Sequence, residues 1–205
     1  LRRFTESRLV FTTINKRGSV MIHECECLPK EIIDICNNTF TTHIGIDGFT
    51  GKGYDPSFRK TECRYIQRSK EIDTPQPKGI ELLEKWINEQ GYDYTPEIIQ
   101  IARYHKGHFY KWHTDGAGRD YRKLSMSCLL NDPSEFEGGE MEFKSEKQKT
   151  TIKLKKHHPI LFMPDLEHQV LPVLEGHRDS LVVWFLQRLI KEESNGNTNL
   201  DFYHT

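Results

Sequence analysis

The sequence has no long apolar run. No stretch stays uncharged long enough to cross a bilayer as a helix, which sets aside a membrane-spanning role. It also lacks an excess of charge: 29 Lys and Arg stand against 30 Asp and Glu, a formal net charge of −1. No strong positive field therefore favours nucleic acid or an anionic membrane surface as a partner. Signal-peptide character is missing too. Leu1-Arg2-Arg3-Phe4 opens the chain with no apolar core behind it and no initiator Met. A cytoplasmic protein whose first residues are missing is the expectation. Cysteine is sparse and odd in number: Cys25, Cys27, Cys36, Cys63 and Cys128. Without a secretory signal these read as reduced thiols. His23, Cys25 and Cys27 share one strand face, but no second spaced pair of Cys or His completes a tetrahedral zinc site. Small buried thiols are expected there instead. Internal repeats and low-complexity tracts are absent as well.

What is present is enough for one globular unit. At 205 residues the chain is expected to form a single domain, 1–205, with a sizeable core. Residues 19–27 alternate as a strand does. Pro29 suits a first helical position, and residues 29–40 place Ile32, Ile33, Ile35 and Cys36 on one helix face. Residues 42–60 carry Gly45, Gly48, Gly51 and Gly53 with little periodicity, and read as a long loop, either mobile or a functional cover. Residues 78–90 form an amphipathic helix with Ile80, Leu83, Trp86 and Ile87 inward, stopped by Gly91.

After Pro96 the period changes from helix to strand. Eight short strands are expected, at 97–104, 109–114, 123–130, 139–143, 150–154, 159–162, 169–173 and 180–186. Such a series makes a two-sheet jelly-roll or barrel, with the earlier helices packed on one sheet. The fold class is α+β, mainly β. A β core at 96–188 follows an N-terminal strand and helices at 1–95, and a C-terminal helix and polar tail occupy 189–205, the helix beginning at 187.

The chemistry concentrates at residues 104–115, which end in His113-x-Asp115. Residues two apart on a strand face the same way, so one imidazole and one carboxylate converge. Further on, Pro164-Asp165-Leu166-Glu167-His168 brings a second His to a turn–strand junction. The four strands between are enough to bring His168 to His113 across a sandwich. Two His and one carboxylate with open remaining positions suit a non-haem Fe(II) centre. Arg178 follows, with Ser180 on the same strand face. A guanidinium is a planar fork matched to a carboxylate, and a hydroxyl adds a third hydrogen bond.

Two intervening segments carry a likeness to a known family. They are Arg122-Lys123-Leu124-Ser125-Met126-Ser127-Cys128-Leu129-Leu130-Asn131-Asp132-Pro133 and Phe136-Glu137-Gly138-Gly139-Glu140-Met141. With Leu161-Phe162-Met163-Pro164 before His168 and Val170-x-Pro172-Val173 after it, they resemble the Fe(II)/2-oxoglutarate-dependent dioxygenases of the prolyl 4-hydroxylase class. Within that class the chain looks closest to the PKHD-type hydroxylases of bacteria and phage. The resemblance covers roughly residues 98–186; before Lys78 only the architecture matches. It implies a double-stranded β-helix (jelly-roll) with iron held by His113, Asp115 and His168. It implies 2-oxoglutarate bound at the iron and reaching Arg178 with its far carboxylate. Dioxygen would convert it to succinate and carbon dioxide while a C–H bond is hydroxylated, with ascorbate as a reductant. Tyr104 matches a tyrosine ahead of the family's iron motif and would bond the co-substrate. The sequence departs at Leu129, where animal enzymes of this class carry a Tyr that touches 2-oxoglutarate. Ser127 and Ser180 are the substitute donors.

The activity implied is prolyl hydroxylation of a peptide or protein. Hydroxylation of a free amino acid or other small molecule is the first alternative, and a nucleic-acid demethylase the second, disfavoured by the missing positive charge. A non-catalytic metal-binding β-sandwich or a zinc hydrolase would leave Arg178 without a purpose. An enzyme for a free amino acid needs a second buried Arg or an acidic partner beside the metal. The spare charges near the motif are Lys111, Arg119, Asp120, Arg122 and Lys123, and only Lys111 shares a strand face with His113. Loop charges at a mouth suit an extended chain better than a sealed pocket. Phe109 and Trp112 read as packing, Gly138-Gly139 as a bulge or tight turn, and His105, His108, His157 and His158 as exposed loop residues.

Overall fold

The structure, a computed structural model, describes residues 11–12, 22–51, 53–69, 74–145 and 148–187. In chain order the elements begin β1 (Phe11–Thr12), β2 (Ile22–Glu24), α1 (Lys30–Thr42), β3 (Ile46–Asp47), β4 (Arg59–Lys60), β5 (Glu62–Gln67) and α2 (Lys78–Glu89). They continue β6 (Tyr94–His105), β7 (Phe109–His113), β8 (Arg122–Leu129), β9 (Phe136–Gly138), β10 (Met141–Lys144), β11 (Lys149–Ile152), β12 (Ile160–Phe162), β13 (Glu167–Val170) and β14 (Val173–Gln187).

Both helices start behind a proline. Pro29 and Pro77 occupy the cap positions, where a missing N–H costs nothing, and their carbonyls accept the first helical bonds from Ile32 and Ile80. The expected inward faces hold: Ile32, Ile33 and Cys36 are buried on α1, as are Ile80, Leu83, Trp86 and Ile87 on α2. Gly91 ends α2 with φ +90°, a conformation that favours glycine.

The strands form two sheets. The larger runs β1-β2-β12-β8-β14-β6-β5-β3, with β9 also on β14; the smaller runs β11-β10-β13-β7-β4. Strand β14 is the backbone of the larger sheet, paired along its length with β6 on one side and β8 on the other. Alternation on these three strands sorts two environments. Ile99, Ile101, Leu124, Met126, Cys128, Leu181, Val183 and Phe185 turn toward the helices and share a core with Ile32, Cys36, Ile80 and Leu83. The alternate residues turn toward the smaller sheet and include Gln100, Tyr104, Ser127, Arg178 and Ser180. A sheet buried on both faces usually reads apolar throughout; this one keeps a polar inner face.

Several elements differ from the expected pattern. Strand β14 begins at Val173, well before the expected 180, because its early residues pair with β9 and β6. The stretch 42–60 contains β3 and β4 and is fastened to the sheets rather than forming one long loop. Strand β5 pairs with β6 over six residues. Of the expected strand at 19–27, residues 22–27 are described and only Ile22–Glu24 is strand, while the expected C-terminal helix and tail lie outside the described residues. Among the described residues no helix is long and apolar enough to cross a membrane.

Leu83 is fully buried between α2 and the sheet. Leu83→Ala is expected to destabilise the fold by ~2–5 kcal/mol through lost burial and the residual cavity. Urea unfolding measures it, and metal affinity of the folded variant should not change.

Candidate functional site

Strand β13 lies beside β7 with His168 opposite His113. The two histidines thus meet as neighbours in one sheet, not across the sandwich as expected, and His168 sits within its strand. Each imidazole is oriented by its own backbone: His113 Nδ1 lies 2.7 Å from the Lys111 carbonyl and His168 Nδ1 lies 2.8 Å from the Leu166 carbonyl. A carbonyl only accepts, so each Nδ1 carries the proton and each Nε2 offers a lone pair. Asp115 follows just past β7, its backbone N–H donating to the Pro164 carbonyl at 2.8 Å. Its carboxylate accepts from the Ser125 hydroxyl at 2.8 Å. His113 Nε2 and His168 Nε2 lie 3.9 Å and 3.7 Å from the Asp115 oxygens. All three ligand atoms fall within 4.8 Å of one another, the sole such group of His, Cys, Asp or Glu among the described residues.

The electrostatics favour a cation at this point. Burial, followed by the neighbouring His168, pushes the His113 imidazole down to about 3. It is therefore neutral and ligand-ready near pH 7. Burial alone would raise the Asp115 carboxyl, but His168, His113 and the Ser125 hydroxyl outweigh it and hold the group below its ordinary value. Two lone pairs and one buried carboxylate around a common point, with Phe143 and Phe162 packed against His168, fit a divalent metal.

One register irregularity explains a residue that sequence reasoning missed. The β7–β13 ladder shifts between His168 and Val170, so Val170 faces Tyr110 instead of Lys111. A bulge adds a residue and resets which side chains share a face. Tyr110 consequently stacks on His113 with ring centroids 3.5 Å apart, and Lys111, expected on that face, is exposed.

Deeper in, Arg178 is 2% exposed and has no acidic partner within 4 Å among the described residues. Its Nη1 donates to the Ser180 hydroxyl at 2.5 Å, its guanidinium stands 5.5 Å from the centre of the Tyr104 ring, and its buried Nη2 has no hydrogen-bond partner among the described residues. Burial pulls its pKa below the ordinary arginine value. A buried charge left unpaired costs several kcal/mol, so the position calls for an anion. Tyr104 and Ser127 are buried along the same cavity as His113, Asp115 and His168, and burial pushes the Tyr104 hydroxyl up to about 12, keeping it a neutral donor. Leu129 sits across the ladder from Ser180 and brings no polar atom. Gly139 is required behind the arginine: with φ +68°, its Cβ would stand 2.9 Å from Arg178 Cδ.

His113 and Asp115 also open onto a cleft of about 1200 Å³ between the stretches 49–59 and 114–122. Arg122 braces one side, donating to Glu97 at 2.7 Å and to the Asp115 carbonyl at 3.1 Å, with its guanidinium 4.1 Å over Trp184. Arg59 braces the other. It is buried and donates to Thr61, Cys63 and Gln100, and its Nη1 bonds the Phe49 carbonyl at 2.8 Å. A Cβ on Gly48 would stand 2.6 Å from Arg59 Nε, so this close approach needs glycine. The stretch is therefore an anchored wall of the cleft. Arg59 also went unseen in the sequence, hidden at the end of a glycine-rich stretch. The available signal was the period of two through Arg59, Thr61 and Cys63, all buried. Of the histidines read as exposed loop residues, His105 is exposed but ends β6, 2.9 Å from Glu62, and His108, His157 and His158 are half-buried.

Residues 99–186 match the model of the 2OG-Fe(II) oxygenase superfamily. Over 169 residues the chain is 34% identical to a PKHD-type hydroxylase of Maricaulis maris, covering 80% of this chain and 77% of that protein. It is similar in structure to a prolyl-4-hydroxylase of Pseudomonas putida, with a TM-score of 0.60, 19% identity, and 80% and 92% of the two chains covered. It is also similar to a prolyl hydroxylase from Trichoplax adhaerens, solved in complex with a peptide fragment of the hypoxia inducible factor oxygen degradation domain. That match has a TM-score of 0.61 and 18% identity over 77% of each chain. The two facing sheets are a double-stranded β-helix.

His113→Ala and His168→Ala are each expected to abolish divalent-metal binding, measured calorimetrically, while circular dichroism stays unchanged. Retained stoichiometric binding in both would remove the triad as the centre. Arg178→Ala is expected to weaken 2-oxoglutarate binding by ~2–5 kcal/mol while leaving metal affinity intact. Arg178→Lys should recover only part of this, because a point charge replaces the fork.

Proposed function

This chain belongs to the 2OG-Fe(II) oxygenase superfamily, and from that premise we propose that it hydroxylates a proline-containing peptide or protein. It is an oxidoreductase that uses Fe(II), with 2-oxoglutarate and dioxygen as co-substrates. His113, Asp115 and His168 would hold the iron through two Nε2 atoms and a carboxylate oxygen. The iron supplies the oxidising chemistry that places one oxygen atom in a C–H bond as 2-oxoglutarate becomes succinate and carbon dioxide.

The remaining steps belong to the protein. Arg178 takes the far carboxylate of 2-oxoglutarate, and its unpartnered Nη2 supports this. Ser180 accepts from Nη1, which leaves its own proton free to donate to that carboxylate. Tyr104 and Ser127 line the same cavity as further donors. They stand where Leu129 supplies none. Burial keeps bulk water from competing for these groups, which strengthens each hydrogen bond to the co-substrate. Tyr110 and Trp184 close the cavity on the metal side. Ascorbate would serve as an external reductant.

The observation that carries the peptide reading is the open cleft with His113 and Asp115 on its floor. An extended chain can cross such a groove while presenting one residue to the metal. The structural relatives support the same reading: two of them are prolyl hydroxylases, one bound to a peptide. Arg59 gives the small-molecule alternative its best support, as a second buried arginine near the centre. Yet its donors already serve Phe49, Thr61, Cys63 and Gln100, so no free fork remains for an amino-acid carboxylate. A cytoplasmic setting goes with this reading, supported by five cysteines that are all unbridged.

With Fe(II), 2-oxoglutarate and ascorbate supplied equally, mass spectrometry is expected to find a single added oxygen on proline peptides and little on free proline. Oxygen on free proline and on no peptide would transfer the proposal to the small-molecule alternative.

A further inference from the structure

The charges that face the cleft do not cancel. On the positive side stand Arg59, Arg68, Arg119 and Arg122, and on the negative side Asp55 and Glu97 beside the metal-site Asp115. Arg122 is paired with Glu97 and Arg68 with Glu84. Arg59 is fully bonded, but to neutral groups, so its charge is unopposed. Arg119 is half-buried and has no ion pair among the described residues. Asp55 keeps its charge too, bonded only to the backbone and hydroxyl of Ser57, but it is fully exposed at the solvent edge, where water screens it. Two unpaired guanidinium charges therefore remain in the groove, against one screened carboxylate at its edge.

Arg119 is placed to use its charge. Its backbone is fixed in a turn, with its N–H donating to Gly116 and its carbonyl accepting from Arg122. The side chain reaches across the mouth: Nη1 lies 3.7 Å from where a Cβ of Gly51 on the opposite wall would be. Its charge is felt by Tyr110, the ring stacked on His113. A half-buried guanidinium spanning the groove on the side of His113, without a carboxylate, has its fork open to a ligand.

We propose that Arg119 is the specificity-determining residue of the cleft, receiving a carboxylate of the substrate chain, so that the peptide hydroxylated carries Asp or Glu beside the target residue. Arg59, buried behind it, adds to the attraction without touching the carboxylate. This rests on the peptide reading above. It also commits that reading to acidic sequences.

The test is binding of three fluorescent proline peptides, flanked by Glu, Gln or Lys, to the Fe(II)- and 2-oxoglutarate-loaded enzyme without oxygen. Anisotropy at low and high salt reports the affinity. The Glu peptide is expected to bind about two- to fivefold tighter than the Gln peptide, the size of one partly shielded ion pair, with the gap narrowing in salt. R119Q should erase the preference, and R119E should reverse it toward the Lys peptide while 2-oxoglutarate affinity stays the same. A reversal cannot come from mere loss of structure. Equal binding of all three peptides by the unmodified enzyme, or an unaltered preference in R119E, overturns the role of Arg119 and leaves the peptide reading standing. If no peptide binds at any charge, both fall together.

Discussion

The register between β7 and β13 is the constraint from which the chemistry follows. His168 stands opposite His113, and Phe143 of β10 stands opposite His168 on its other side. A slip of one residue would turn His168 to the far face and bring in Glu167 or Gln169. The site is protected against such a slip because both flanking contacts are buried and apolar: Phe143 is fully buried and Val170 nearly so. The irregularity between His168 and Val170 then lets Tyr110 and His113, three residues apart, lie on one face. Metal geometry and the stacked tyrosine thus come from one ladder and one bulge.

Two buried arginines show opposite solutions to the same physical cost. Arg59 satisfies its donors with a carbonyl, an amide oxygen, a hydroxyl and a thiol, and in doing so ties Phe49 to the wall of the cleft. It is structural in what it bonds and electrostatic in what it leaves unopposed. Among the described residues Arg178 bonds only Ser180, and one of its buried nitrogens has no partner. A folded protein keeps a charge in that condition only where an anion arrives to complete it. The contrast separates an arginine satisfied by its own scaffold from one of the same burial that is left open to a ligand.

Much of this was legible in the sequence because the relevant signals are periodic or local. The helices show through Ile80, Leu83, Trp86 and Ile87 at helical spacing, and through prolines at their starts. His113, Asp115, His168 and Arg178 stand out because their donor types are complementary. The path of their convergence was not legible. Antiparallel pairing of β13 with β7 is a long-range choice, and alternation alone does not say which strands become neighbours. The bulge hid Tyr110 for a similar reason, since a period of two predicts Lys111 on the face of His113. Arg59 was obscured by the glycines before it, which read as a loop although they allow a tight approach of backbone to guanidinium.

The inner face of the larger sheet gives the last step. Ser125, Ser127, Gln100 and Ser180 are all nearly inaccessible, on strands whose opposite faces pack Met126, Cys128, Ile101 and Leu181 against the helices. Replacing those hydroxyls with aliphatic groups would look favourable on burial alone, because an unpartnered buried hydroxyl costs about 1–3 kcal/mol. Two are already engaged, Ser125 with Asp115 and Ser180 with Arg178. Each touches a charged group that would otherwise lack a neutral partner. The helices supply the apolar burial on one side of the sheet, which leaves the other side free to be polar. That division of labour allows a short chain to build a charged, water-poor site without weakening the core beneath it.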